Sequence, residues 1–63
     1  MNKQLVEQRV TLICELGCTR VREVIVALQR GGITPETESA GDQERLQILR
    51  ELQSIMDVYD ARQ

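Results

Sequence analysis

The sequence predicts an all-α protein, a two-helix antiparallel hairpin dimerising into a four-helix bundle. Three observations carry this. The apolar 41% of the chain is dominated by Leu, Ile and Val, with one aromatic residue, Tyr59, and it is mixed with Arg, Glu and Gln. That composition suits helices more than strands. The apolar residues recur with a helical period in two long stretches. Between those stretches lies one clear interruption, from Gly31-Gly32 to Gly41-Asp42.

A chain of 63 residues makes one small domain, residues 1–63, with a loop at 31–41. At this size the surface buried on folding is limited, and stability needs help from disulfides, a metal or association. Two cysteines and no histidine argue against a disulfide framework or a zinc finger. Association is then the expected help.

The first helix is expected over about residues 3–30. On a helical wheel Val6, Val10, Ile13, Cys14, Gly17, Cys18, Val21, Val24, Ile25 and Leu28 fall in an arc of roughly 140°. Only Lys3 and Glu7 enter that arc. The phase passes through Gly17 without a slip, so the helix is expected to continue there. Glycine costs about 1 kcal/mol against alanine inside a helix and needs a reason to be present. The expected reason is a close-packing notch of Cys14, Gly17 and Cys18, able to receive a larger side chain such as Leu52 or Met56. Gly31 just past the stripe, with Arg30 in the last turn, marks the helix end.

Leu5, Leu12 and Leu16 gather on a second face of the same helix. A hairpin buries one face of each helix, so this seam is read as a dimer or partner interface. Two hairpins sharing a core would cover it.

In the loop, Thr34-Pro35 is placed to begin one short turn, because proline is tolerated at a first helical position. The second helix is expected over about 42–60. Asp42 is the N-cap candidate and Glu44 suits the first turn. Ile48, Leu49, Leu52, Ile55, Met56 and Tyr59 share an arc of roughly 120° as its core face.

Charge and motifs narrow the function. The net charge is −2, with +2 on residues 1–33 and −4 on residues 34–63. This balance gives no electrostatic case for nucleic acid or an anionic membrane. No run approaches the roughly 20 apolar residues of a membrane span. No signal peptide is visible, and a reducing cytoplasm with both thiols free is the expected setting. Without histidine the commonest general base is missing, and a cysteine nucleophile lacks an imidazole partner. Gly31-Gly32 follows a helix instead of opening one, so it makes no phosphate cradle. Cys14 and Cys18 lack a third metal ligand nearby. Glu36, Glu38 and Asp42 do not have the spacing of a calcium loop. No catalytic residue, metal site or cofactor is expected.

One short stretch points elsewhere. Glu15-Leu16-Gly17-Cys18-Thr19-Arg20 resembles the turn of bacterial helix-turn-helix DNA-binding motifs. That resemblance implies Thr19 as a cap, with Arg20 and Arg22 reaching bases or phosphates. Glu23 stands where the motif wants an apolar residue, and Glu15 and Glu23 put negative charge beside the implied DNA face. The leading expectation is therefore a non-enzymatic helical module, homodimeric, serving protein–protein interaction or regulation as an adaptor. A helix-turn-helix DNA-binding regulator is the alternative.

Overall fold

A computed structural model describes residues 2–61. Among them are three α-helices and no strand: α1 Lys3–Glu15, α2 Cys18–Gln29 and α3 Asp42–Ala61, with a 3-10 turn at Pro35–Thr37. The all-α class agrees with the sequence reading. The two-helix hairpin does not, because the long first helix is broken in two.

The break falls at Leu16-Gly17. Gly17 has φ 103°, in the left-handed region that excludes most L-residues, and serves as the N-cap of α2. The Gly17 N–H donates to the Cys14 carbonyl at 3.2 Å and closes α1. The Gly17 carbonyl accepts the Val21 N–H at 3.1 Å and opens α2. The chain reverses through a turn of two residues. This corrects the expectation of a continuous helix, and the reason is geometric. Periodicity records the angle of each side chain about an axis. It does not record whether the axis bends. The glycine turn swings α2 back without changing which side chains face the core.

The core is therefore built from most of the predicted stripe, folded on itself, while Cys14, Gly17 and Cys18 of that stripe lie exposed at the turn. Val6, Val10 and Ile13 from α1, Val21 and Val24 from α2, and Ile48, Leu52 and Met56 from α3 are buried. Ile13, Val24, Ile48 and Leu52 are fully enclosed. Burying each such side chain contributes about 1.5–3 kcal/mol. Leu5, Ile25, Leu28 and Ile55 pack against the cluster from its edges.

The ends of the elements set their directions. Asn2 caps α1, accepting the Leu5 N–H on Oδ1 at 3.2 Å. Its own N–H donates to Glu44 Oε2 at 3.0 Å, so α1 and α3 begin side by side and run parallel. Glu44 Oε1 also accepts the Gly41 N–H at 2.9 Å. Asp42, the expected N-cap, is instead the first helical residue; Gly41 precedes it and Glu44 reaches back to the Gly41 amide. At the other end, Arg22 of α2 meets Asp60 of α3 at 3.0 Å, so α2 runs antiparallel to α3.

α2 ends as expected. Gly31, at φ 79°, donates to the Leu28 carbonyl, and Gly32 donates to the Ala27 carbonyl at 2.9 Å. This is a Schellman closure, which needs a residue free to adopt positive φ. Tyr59 departs from its predicted core position and is exposed. α3 has 20 residues against 13 in α1. Because the two helices start together, the last turn of α3 has no α1 beside it.

Candidate functional site

The residues singled out in the sequence lie around the α1–α2 turn. Leu12 and Leu16 are one helical turn apart on α1 and its C-cap, and are 38% and 53% exposed. Leu5, two turns before Leu12, is half-buried and packs against the core. The leucine seam is thus divided. Its first member supports the fold, and its last two face outward. Leu12 borders a shallow trough on α1 with Gln4, Glu7, Gln8, Thr11 and Glu15. Leu16 lies outside this trough, so the two leucines have polar neighbours on the trough side.

The expected notch of Cys14, Gly17 and Cys18 is not a helix–helix contact within this chain. Both cysteines are free thiols at exposed positions. A Cβ built on Gly17 would meet nothing within 4 Å. The glycine is required by the backbone turn, not by close packing. Partial shielding from water by its neighbours raises the Cys14 thiol above its ordinary value although the residue is exposed overall, and the nearby Cys18 adds to that. Among the described residues no three His, Cys, Asp or Glu side chains gather to hold a metal.

The two arginines of the DNA alternative are engaged elsewhere. Arg20 grips Glu36 in a fork, Nε to Oε2 at 2.6 Å and Nη2 to Oε1 at 2.8 Å. Glu36 is only 9% exposed, and the Arg20 bonds are the main cause holding its carboxyl below the usual range. Arg20 lies 3.7 Å from Glu23 as well. Arg22 is bound to Asp60. Thr19 is the second residue of α2 and is exposed; the N-cap position belongs to Gly17.

Two features escaped sequence reasoning. The first is the fastening of the 31–41 loop. Within the 3-10 turn the Thr34 N–H donates to Thr37 Oγ1 at 3.1 Å, and Thr37 is fully buried. Arg45 donates to the carbonyls of Thr37 and Ala40 and pairs with Asp42. Arg9 reaches Ser39 at 3.1 Å. Arginines reaching carbonyls many residues away leave no periodic trace in a sequence. The Thr34-Pro35 start was the only visible signal. The second feature is a shallow, mainly apolar depression on the outside of α2, lined by Thr19, Arg22, Glu23, Val26, Ala27 and Arg30. Val26 is 45% exposed there. Its signal was a valine outside the apolar arc.

No helix among the described residues is long and apolar enough to cross a membrane. Comparison with models of known protein families, with characterised proteins and with solved structures finds no match.

Proposed function

We propose that the protein is a small non-enzymatic interaction module that associates through the Leu12–Leu16 face, first of all with a second copy of itself. The observation that carries this is the outward exposure of Leu12 and Leu16 beside a core that is already closed. Neither leucine is needed to complete the fold. Beside Leu12 lies a polar trough of Gln4, Glu7, Gln8, Thr11 and Glu15, so the leucines are flanked on one side by groups able to hydrogen-bond a partner. The area is small, which suits a weak, rapidly exchanging association. A regulatory or adaptor role would follow from such reversible binding.

The test is sedimentation of dilute, freshly folded protein beside the double variant Leu12→Ser/Leu16→Ser. A concentration-dependent dimer lost in the double variant supports the proposal. A monomer throughout opposes it.

The DNA-binding alternative has one observation in its favour, the real turn at Gly17 between two short helices. The charges favour it less. Arg20 and Arg22 are each neutralised by a carboxylate from another part of the chain, and phosphate contacts would have to displace both.

A further inference from the structure

We propose that the chain has a second state, a dimer in which Gly17 turns helical, α1 and α2 join into one helix, and α1 docks on the α3 of a second copy. Four observations on the hinge point there. The apolar stripe keeps its helical phase across Gly17, so a straight helix would still present Val6, Val10, Ile13, Val21 and Val24 on one side. A hinge selected only to reverse the chain has no need to preserve that phase.

The hinge is also weakly fastened. Gly17 provides no side-chain cap for α2, and no basic residue stands in the last turn of α1. The first intrahelical donor of α2 is the Val21 N–H. Joining the helices would give the amides of Cys18, Thr19 and Arg20 the carbonyls of Cys14, Glu15 and Leu16, by ordinary i to i−4 bonding. Among the described residues no side chain packs against Gly17 itself, since a Cβ there would meet no atom within 4 Å. Finally, the stripe residues at the hinge are small and exposed: Cys14, Gly17 and Cys18. In a two-fold swapped dimer the two hinge segments run past one another near the axis, where small residues permit close approach.

The exchange preserves the α1–α3 packing and makes it intermolecular, which is the usual low-cost route to a swapped dimer. Contacts of α2 with α3, and of Arg20 with Glu36, stay within the chain. Leu16 takes part only through its backbone at the hinge, and the side chains of Leu12 and Leu16 lie off the stripe, so this state and the proposed face-to-face association are separable. They also differ in kinetics. A swapped dimer dissociates only when α1 leaves the core, so it persists on dilution.

The experiment places a disulfide where α1 meets α3. Lys3 and Gln47 line one small depression, and Lys3→Cys/Gln47→Cys is made in a Cys14→Ser/Cys18→Ser background. The protein is refolded at low and at high concentration and oxidised. Covalent dimers that appear after concentrated refolding, and within-chain bonds after dilute refolding, are the expected result. Within-chain bonds at every concentration overturn the proposal. In parallel, Gly17→Ala should lower the dimer dissociation constant by roughly tenfold or more, since two hinges per dimer gain helix propensity. That dimer should survive Leu12→Ser/Leu16→Ser. A folded Gly17→Ala chain that stays monomeric also overturns the proposal, and if that variant does not fold, the cross-linking result alone decides.

Discussion

Arg20 of α2 holds Glu36 of the 3-10 turn through two parallel hydrogen bonds, at 2.6 and 2.8 Å, and so ties the connecting loop to α2. Glu36 is nearly buried, so loss of its partner leaves a carboxylate with poor solvation. Arg20→Ala is expected to destabilise the fold, and to lower the melting temperature more than loss of a solvated surface pair would. Arg20→Lys should recover only part of this, because lysine cannot form the planar fork. Thermal unfolding followed by far-UV circular dichroism reads both; an unchanged melting temperature for Arg20→Ala would remove the clasp from the account.

The same contact predicts how stability follows pH. The Glu36 carboxyl is held low mainly by Arg20, and that of Glu44 mainly by the Gly41 and Asn2 amides. Groups with a depressed folded pKa contribute stability that is complete above their unfolded value, near 4.5 for these glutamates. The contribution is lost as pH falls from there through the lower folded values. The melting temperature should therefore drop below about pH 4.5, and the drop should be shallower in Glu36→Gln. An equal acid slope in the variant would show that Glu36 does not contribute.

Core and surface should respond very differently to truncation. Leu52 of α3 is fully buried in the core with residues of α1 and α2, whereas Val58 is 52% exposed. Leu52→Ala is expected to cost about 2–5 kcal/mol. For a chain of 63 residues that is a large share of the total, about 3–9 kcal/mol at typical stability per residue. Val58→Ala should stay within about 0.5 kcal/mol. Urea unfolding of the pair measures the difference; similar midpoints would contradict the assigned core.

How much of this was visible beforehand depends on the kind of interaction. The core positions were legible: Val6, Val10, Ile13, Val21, Val24, Ile48, Leu52 and Met56 are all buried as the period predicts. So were the Gly31 helix end and the helix beginning at residue 42. The reversal at Gly17 was not, because a stripe in constant phase is compatible with one long helix or with two that share a partner. Leu5, at one end of the leucine seam, packs against the core within the chain. Of the leucine seam, Leu12 and Leu16 remain exposed. The clasp of Arg20 and Glu36, 16 residues apart, depends on where the loop passes α2. Local sequence rules do not carry that information.

The engaged arginines yield a prediction about nucleic acid. With Arg20 and Arg22 bound to Glu36 and Asp60, and a net charge of −2, the protein should not retard duplex DNA in a mobility shift at moderate salt. A retarded complex that weakens with salt and is lost in Arg20→Ala/Arg22→Ala would move the helix-turn-helix reading into first place.

The claim that Leu12 and Leu16 form an association surface is tested most directly by sedimentation equilibrium across the micromolar range. The protein should be refolded at low concentration, and the wild type compared with Leu12→Ser/Leu16→Ser. A reversible dimer is expected in the wild type, a monomer in the variant, and the same melting temperature for the two monomers at high dilution. A wild type that remains monomeric, or a double variant that dimerises equally well, would contradict it.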